Sequence, residues 1–250
     1  MTIDIQSAGV LGGGVMGSGI GQALAAGGVK VTIRDVSDEL IEKARSTIVE
    51  GRYGLKRGVE LGKTMPEEME ATLANLSFTT SVSDLADADL IVEAVPEDLE
   101  LKRKVWAEMD GIVKAGAVFA SNTSGLVIAD LNKAVSETRR PLFIGMHWFS
   151  PAPIMKLVEL VHAPETAEDT LEALESLCQR IGKVSVRVKD APGKYGFIAN
   201  RIYFAAVREA QAVLAEGIAS AEDINKAMVY GYNWPVGPLA MVEGARKGWQ

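Results

Sequence analysis

The chain has 250 residues, of which 48% are hydrophobic and 24% charged, with a formal net charge of −7. This is ordinary for a globular protein, and the length allows one large α/β domain with a small second one. No apolar run approaches the roughly 18 residues of a membrane span, and the acidic balance argues against general nucleic-acid binding. The start of the chain lacks the basic and apolar regions of a signal peptide. One cysteine, Cys178, excludes an internal disulfide framework, which favours a cytoplasmic location. Together these features lead us to expect no nucleic-acid, membrane or metal partner.

A glycine-rich stretch dominates the N-terminal part of the chain. Gly12, Gly14 and Gly17 follow a short apolar run with the spacing G-x-G-x-x-G and lead into a helical pattern. The first glycine allows the tight turn, the second lets a pyrophosphate approach the backbone, and the third lets helix and strand pack closely. The N–H groups at the helix start, around Val15 and Met16, would then face the phosphates.

An acidic residue follows the next strand at the distance expected of a dinucleotide site. Residues 30–34 read as a strand that ends in Asp35, about 20 residues after the glycines. A carboxylate there binds the ribose hydroxyls of NAD and repels the extra phosphate of NADP. Despite the adjacent Arg34, the sequence favours NAD.

Two helices are predicted before the next buried strand. The first runs from the N-cap Ser37 to about Gly58, and the second opens at Pro66. The apolar face of the first helix comprises Leu40, Ile41, Ala44, Ile48 and Val49, and that of the second comprises Met69, Leu73 and Leu76. Lys56 and Arg57 lie in a basic cluster with Arg52 and Lys63. Such a cluster is either a solvated face or a contact for a phosphorylated substrate.

Polar groups follow two further strands. Residues 90–95 are typical of a buried parallel strand, and a helix starts at residues 96–98. Glu97 and Lys102 are either solvated helix charges or groups on the cofactor side of the sheet. Residues 117–120 form another strand, followed by Ser121 and Asn122. These lie where ligands bind in open α/β sheets, although Ser121 or Thr123 is equally an N-cap candidate.

The chain has two histidines, of which one stands in a position typical of an active site. His147 ends an apolar strand and opens a proline-rich turn. Glu159 is an isolated acid within the apolar strand 155–161, which is an expensive place for a charge without a partner. A pair of these two residues would remove that cost and fix one imidazole tautomer. His162 has no such partner and is interpreted as a surface residue.

The strand pattern stops after residue 189. A helix near 167–181 and a strand at 183–188 complete the pattern of alternating strands and helices. Residues 1–189 are therefore predicted to form an α/β domain with a Rossmann-type doubly wound sheet. Residues 190–196 are the best linker candidate. Three helical patterns then cover 198–216, 220–230 and 236–246, so residues 190–250 are predicted to be a small all-α domain.

Several stretches together resemble the 3-hydroxyacyl-CoA dehydrogenase family. In family order they are residues 12–20 (GGGVMGSGI), 92–102 (VEAVPEDLELK), 121–124 (SNTS), 147–159 (HWFSPAPIMKLVE), 196–201 (GFIANR) and 237–239 (GPL). The histidine and asparagine blocks are specific to this family, unlike the glycines. The resemblance covers nearly the whole chain. It implies a reversible, NAD-linked oxidation of the 3-hydroxyl of an acyl-CoA, by an enzyme that is commonly dimeric.

The resemblance also implies roles for individual residues. His147 is the general base, with Glu159 as its partner, and Ser121 and Asn200 hydrogen-bond the substrate oxygens. Asp35 holds the adenosine ribose, with Glu97, Lys102 and Asn122 toward the nicotinamide half. Lys56 and Arg57 lie in the region that contacts CoA. An imidazole titrates near working pH, and a carboxylate stabilises the imidazolium that forms, in agreement with the proton-transfer role.

Three departures from the family pattern leave alternatives open. Ser150 stands where the family usually has asparagine, and Pro192-Gly193 is separated from Phe197 by three residues. Relatives generally continue for about another helix after residue 250. We therefore expect a truncated chain, the front of a fused β-oxidation enzyme, or a subfamily with another substrate. The alternatives to the dehydrogenase of acyl-CoA are a sister enzyme for a free hydroxy acid, such as gulonate or carnitine, and a non-catalytic NAD-binding, crystallin-like protein.

Overall fold

The computed structural model describes residues 3–192 and 195–246, and within these ranges it contains eight strands and ten α-helices. The strands are β1 Ser7–Leu11, β2 Lys30–Arg34, β3 Leu76–Thr79, β4 Leu90–Glu93, β5 Val118–Ser121, β6 Phe143–Trp148, β7 Leu157–His162 and β8 Val184–Lys189. The helices are α1 Val15–Ala26, α2 Asp38–Glu50, α3 Leu55–Glu60, α4 Pro66–Ala74, α5 Leu99–Asp110, α6 Ile128–Asn132, α7 Glu168–Arg180, α8 Ala199–Ala215, α9 Ala221–Tyr232 and α10 Pro238–Arg246.

All eight strands form one sheet with the order β3-β2-β1-β4-β5-β6-β7-β8. The six strands from β3 to β6 are parallel, β7 is antiparallel to β6, and β8 is parallel to β7. This confirms the predicted doubly wound, Rossmann-type sheet. The strand order reverses between β1 and β4, and ligands of such sheets bind outside the carboxyl ends of the strands at that point.

The two faces of the sheet carry different side chains near the carboxyl ends of the strands. One face packs against α1 and α7 through alternate apolar residues, among them Val92, Ala120 and Trp148. On the other face, Trp106 of α5 stacks on Phe119, and Ile128 of α6 lies against Gly145. The register pairs Glu93 with Ser121, Ser121 with Gly145, and His147 with Glu159. Since paired residues of adjacent strands project to the same side, these polar side chains share the α5–α6 face.

The helix predicted from Ser37 to about Gly58 is wrong in its length, because it is two helices. Ser37 caps α2 as expected, but α2 ends at Glu50, and α3 begins only at Leu55. Gly51 continues in an extended conformation, where a Cβ would lie 2.3 Å from the carbonyl oxygen of Thr47. Of the apolar face predicted for α2, Ile41, Ala44 and Ile48 are buried, whereas Leu40 is exposed.

Leu76 lies in a strand, so its predicted place in the second helix is wrong. Helix α4 ends at Ala74, and Leu76 begins the edge strand β3, paired with Val31 of β2. The strand has only four residues and alternates with polar side chains, so its apolar residues continue the helical spacing of α4. The pairing partner, which is far away in sequence, decides the conformation.

The C-terminal residues form a compact unit of their own. The chain divides after Gly193, close to the boundary expected at residue 190, and β8 ends at Lys189. Within the second unit, Asn225 Oδ1 accepts hydrogen bonds from the N–H groups of Leu239 and Ala240. This side chain of α9 thereby caps the first turn of α10. In the described part of both units, no helix is long and apolar enough to cross a membrane.

Candidate active site

The glycine turn between β1 and α1 has the geometry that its three glycines predict. Gly12 has φ +94°, and a Cβ there would lie 2.9 Å from the carbonyl oxygen of Ala94. A Cβ on Gly17 would lie 1.7 Å from the carbonyl oxygen of Gly12, so helix and turn could not pack as they do. At Gly14, which caps α1 without a side chain, a Cβ would meet no atom within 4 Å. The start of α1, at Val15 and Met16, therefore has open space for a phosphate group.

Asp35 lies directly beside this turn. Its Oδ2 accepts a hydrogen bond of 2.7 Å from the N–H of Gly13, and its Oδ1 accepts one from the N–H of Val36. The neighbouring Arg34 points its Nε to the carbonyl oxygen of Thr80. The carboxylate is thus held at the end of β2, next to the glycine turn, and its contact with the adenosine ribose stays a prediction.

His147 and Glu159 form a buried pair across β6 and β7. His147 Nδ1 lies 2.8 Å from Glu159 Oε2, and the two side chains are 4% and 0% exposed. A carboxylate without solvent is costly unless it is paired, and the imidazole supplies the partner that the sequence required. The ring of Phe149 lies 4.7 Å from the imidazole, between ring centroids, on the chain leaving β6.

Asn122 fixes the backbone next to this histidine. Its Oδ1 accepts a hydrogen bond of 2.9 Å from the N–H of Trp148, and its own N–H donates to the carbonyl oxygen of Glu93. The amide oxygen of Asn122 therefore joins the end of β5 to the end of β6. Its expected contact with the cofactor stays a prediction.

Glu93, at the end of β4, is a buried acid that was not among the residues predicted for the site. Its Oε2 accepts from Ser121 Oγ at 2.7 Å, and its Oε1 accepts from Lys102 Nζ at 2.5 Å and from the N–H of Val95 at 2.9 Å. Burial raises the pKa of Glu93, and the adjacent Lys102 opposes that shift. The signal that could have found it is the one that found Glu159, a single acid in an apolar strand.

Glu97 and Lys102 meet, but in different surroundings. Lys102 Nζ lies 3.3 Å from Glu97 Oε2; the lysine side chain is 1% exposed and the glutamate side chain 41%. The solvated-charge interpretation is therefore wrong for Lys102. Glu97 Oε1 also accepts from Thr123 Oγ1 and from the N–H of Ser124. Of the two, Glu97 is the group that a ligand can reach directly.

The basic cluster lies on the side of the sheet that packs against α1, opposite the α5–α6 face. Lys56 pairs with Glu50, and Arg57 Nη1 lies 2.8 Å from Glu60 Oε2, all of them exposed. Beside them is a cavity of about 670 Å³, whose lining includes Arg52, Arg57, Lys63, Pro153 and Ile154. Pro153 and Ile154 belong to the segment that links the strands of His147 and Glu159.

The remaining expected residues lie apart from this arrangement or in the second unit. Asn200 is the second residue of α8, in the C-terminal unit, and its substrate contact stays a prediction. His162, interpreted as a surface residue, is half-buried at the end of β7. Cys178 is buried in α7, as expected of a structural thiol, and burial raises its pKa to about 12.

Comparison with known proteins gives the family. The family model described as "3-hydroxyacyl-CoA dehydrogenase, NAD binding domain" matches residues 7–191, and that of the family's C-terminal domain matches residues 196–246. The mitochondrial hydroxyacyl-coenzyme A dehydrogenase of Rattus norvegicus is 38% identical over 94% of this chain and 74% of its own length. The 3-hydroxybutyryl-CoA dehydrogenase of Clostridioides difficile is 39% identical over 93% of this chain and 80% of its own.

A solved structure agrees with these sequence relatives. The crystal structure of FadB2 from M. tuberculosis superposes with a TM-score of 0.89 at 37% identity, covering 95% of this chain and 81% of that one. The glycine turn, the acid at the end of β2 and the doubly wound sheet are the parts that an NAD-binding domain requires. The chain therefore belongs to the 3-hydroxyacyl-CoA dehydrogenase family and is an NAD-dependent dehydrogenase.

Proposed function

We propose that the chain interconverts an (S)-3-hydroxyacyl-CoA and the corresponding 3-oxoacyl-CoA, with a short acyl chain as in 3-hydroxybutyryl-CoA. The observation that carries the proposal is the buried pair of His147 and Glu159, 2.8 Å apart. Oxidation of a secondary alcohol requires a base for the hydroxyl proton, and a histidine oriented by a carboxylate is suited to that task. A family that includes a 3-hydroxybutyryl-CoA dehydrogenase 39% identical to this chain supports the choice of substrate.

The chain's own groups divide the work as follows. Since an ionised carboxylate only accepts hydrogen bonds, Glu159 keeps a proton on Nδ1 of His147 and leaves Nε2 as the base. Glu159 also stabilises the imidazolium that forms when Nε2 takes the hydroxyl proton. NAD, when bound, supplies the acceptor for the hydride of C3. Ser121 hydrogen-bonds the ligand and holds its reacting carbon in place. For Asn200 of the C-terminal unit, a hydrogen bond to a substrate oxygen is proposed on the family resemblance alone.

The residues proposed to bind NAD surround the carboxyl ends of β1, β2, β4 and β5. The glycine turn and the start of α1 take the pyrophosphate, and Asp35 takes the adenosine ribose. Glu97 takes the nicotinamide half, with Lys102 holding Glu97 from behind and Asn122 holding the end of β6.

We propose that Lys56 and Arg57 contribute to binding the CoA phosphates. Arg57 lines the cavity beside residues 153 and 154, together with Arg52 and Lys63, so three cations surround one space. Exposed ion pairs, such as those with Glu50 and Glu60, contribute little stability and exchange readily for a phosphate. Replacing Lys56 and Arg57 by glutamine should raise KM for acetoacetyl-CoA and leave the dissociation constant of NADH unchanged. An unchanged KM would remove these residues from CoA binding.

The decisive experiment is NADH consumption with acetoacetyl-CoA, run beside free acetoacetate and with NADPH as a control. Turnover of the CoA ester with NADH alone is expected. It would establish the reaction, the cofactor preference and the need for CoA together. Binding of NADH without turnover of either substrate would contradict the proposed substrate.

A second candidate is a sister dehydrogenase that oxidises a free hydroxy acid such as gulonate or carnitine. The observation that favours it is local: Lys56 and Arg57 already have carboxylate partners, as they would in a protein without a CoA substrate. The pair of His147 and Glu159 serves either alcohol equally well. Turnover of the free acids, with none of the CoA ester, would favour this candidate. The non-catalytic, crystallin-like alternative is weaker, since a retired site has no need of a buried acid–imidazole pair.

We further propose that two copies of the chain associate through their C-terminal units. Large apolar side chains of this unit are exposed, including Ile202 at 66% and Ile218 at 67%. The described helices of this unit, α8 to α10, leave these apolar side chains uncovered, and a second copy would cover them. Light scattering should give a dimer, and Ile202→Glu should yield a monomer; a monomeric wild-type protein would contradict this. A cytoplasmic location and a role in β-oxidation are proposed on the substrate class and the single buried cysteine.

A further inference from the structure

One buried carboxylate connects two groups that the proposed function assigns to ligand binding. Glu93 ends β4 beside the point where the strand order reverses, and it is fully buried. Its donors are the Ser121 hydroxyl at the end of β5, the Lys102 ammonium in the first turn of α5, and the N–H of Val95 in the connection between β4 and α5. A single side chain thus joins three neighbouring segments at the carboxyl edge of the sheet.

The contacts continue from Glu93 to an exposed acid. Lys102 Nζ, which bonds to Glu93 Oε1, also donates to the carbonyl oxygen of Val95 and lies 3.3 Å from Glu97 Oε2. Lys102 is enclosed, whereas the Glu97 side chain is 41% exposed. The orientation of Glu97 therefore depends on a lysine whose position is set by Glu93.

Stability alone does not account for this arrangement. Two ionised groups lose their hydration when they are buried, and apolar replacements of similar volume are often neutral or stabilising. Burial raises the pKa of Glu93 even with Lys102 in contact, because an ionised carboxylate is unfavourable away from water. The chain carries this penalty at the carboxyl ends of β4 and β5, where ligands of such sheets bind.

We propose that Glu93 is a positioning residue of this dehydrogenase, which holds Ser121 directly and Glu97 through Lys102. The proposal rests on the proposed function for the ligand contacts of Ser121 and Glu97. It also fixes the direction of hydrogen bonding at Ser121. The hydroxyl donates its one hydrogen bond to the Glu93 carboxylate, so Oγ can only accept a hydrogen bond from a ligand. The ligand group at Ser121 is then a hydrogen-bond donor, a part for which the carboxamide N–H of the nicotinamide is suited, whereas the substrate hydroxyl directs its one proton to His147.

The first test is Glu93→Gln, which keeps the shape of the side chain and removes its charge. A neutral amide oxygen cannot hold both Ser121 and Lys102 as the carboxylate does, so we expect the dissociation constant of NADH to rise roughly tenfold. NADH fluorescence measures it without any acyl-CoA. A matched control is Asp110→Asn, which removes a structural ion pair with Arg139 at the far end of the same helix. It should lower Tm and leave NADH binding unchanged.

A second variant protects the test against misfolding. Glu93→Leu with Lys102→Met removes both charges and leaves no unpaired ion in the interior. The proposal expects weakened NADH binding in this variant at a nearly unchanged Tm. If either folded variant binds NADH as tightly as the wild type, Glu93 has no positioning role. Failure of the wild type to turn over acetoacetyl-CoA would sink the proposed substrate instead, and would leave the NADH measurement standing.

The role of Ser121 is tested by a double-mutant cycle. If Glu93 acts partly through Ser121, the effect of Glu93→Gln on kcat/KM should shrink in a Ser121→Ala background, whereas additive effects would contradict the coupling. The reduced 3-acetylpyridine analogue of NADH, whose acetyl group has no N–H, identifies the donor. Ser121→Ala should weaken NADH but not the analogue if the carboxamide is the donor. Equal losses of affinity for NADH and the analogue, or no loss for either, would contradict this direction of hydrogen bonding.

Discussion

His147 Nδ1 lies 2.8 Å from Glu159 Oε2, and the two residues stand opposite each other in the antiparallel pair of β6 and β7. The reversal of the chain between these strands brings together residues that are 12 positions apart. Since β1 to β6 are otherwise parallel, the antiparallel return of β7 is what places an acid beside the histidine at the carboxyl edge. The position of the pair at this edge supports its assignment as the catalytic base.

The first prediction concerns the base itself. His147→Gln should lower kcat by roughly a hundredfold to ten-thousandfold, because the side chain can no longer take the hydroxyl proton. Binding of NADH, measured by fluorescence, should stay as in the wild type. The matched control is His162→Gln at the end of β7, which should retain its turnover. Equal activities of the two variants would remove His147 from its proposed role.

Glu159→Gln tests the orienting role of the acid. The amide retains the size of the side chain but no longer stabilises the imidazolium, and it can present an N–H where Nδ1 needs an acceptor. We expect kcat to fall while KM changes little, since the lost interaction matters most when the imidazole is charged. A steady-state series with acetoacetyl-CoA and NADH measures both constants. A loss expressed wholly in KM would speak for a structural role.

The glycine turn predicts opposite behaviour of two similar variants. A Cβ at Gly14 meets no protein atom, so Gly14→Ala should fold with nearly the Tm of the wild type and still bind NADH poorly, because the methyl group stands where the pyrophosphate approaches. Gly17→Ala should be unstable or insoluble, since its Cβ would lie 1.7 Å from a carbonyl oxygen. Thermal unfolding and NADH titration separate the two effects. Tight NADH binding by Gly14→Ala would place the phosphates elsewhere.

Asp35→Asn should reduce the preference for NADH over NADPH by roughly tenfold. The carboxylate beside Gly13 repels a phosphate on the adenosine ribose, and the amide does not. Asp87→Asn removes the same charge from an exposed position at the amino end of β4, and it should leave the preference unchanged. The ratio of kcat/KM for the two cofactors is the measurement. An equal shift in both variants would point to net charge rather than to Asp35.

How much the sequence predicts depends on the distance between the interacting residues. The glycine turn, Asp35 and most strands rest on local patterns, so they are recognisable in one chain. The pair of His147 and Glu159 is predictable because an acid in an apolar strand demands a partner. Glu93 and the burial of Lys102 are harder, since the partners of Glu93 lie 9 and 28 positions along the chain. Strand β3 cannot be predicted from its local sequence pattern, because its conformation is decided by pairing with β2.

A prediction for stability uses the ion pair of Arg139 and Asp110 at the amino end of β5. Arg139 is buried and donates a hydrogen bond to Asp110 Oδ1. It also donates to the carbonyl oxygens of Val113, Lys114, Ala115 and Ala117. Arg139→Met leaves these oxygens and Asp110 without their donor and should lower the free energy of unfolding by roughly 3–5 kcal/mol. Binding of NADH should be unchanged, because the site lies at the opposite ends of the strands.

The same pair gives the pH dependence. Partial burial tends to raise the pKa of Asp110, but hydrogen bonds from the Ser136 N–H and from Arg139 outweigh it, and the folded pKa lies below its usual value. Because the folded pKa is the lower one, the stabilisation is present above the unfolded value of about 3.9 and is lost as pH falls through the folded pKa. Asp110→Asn should therefore lose less stability than the wild type between pH 6 and pH 3, as measured by urea unfolding. Parallel losses in both proteins would show that other carboxylates govern the acid transition.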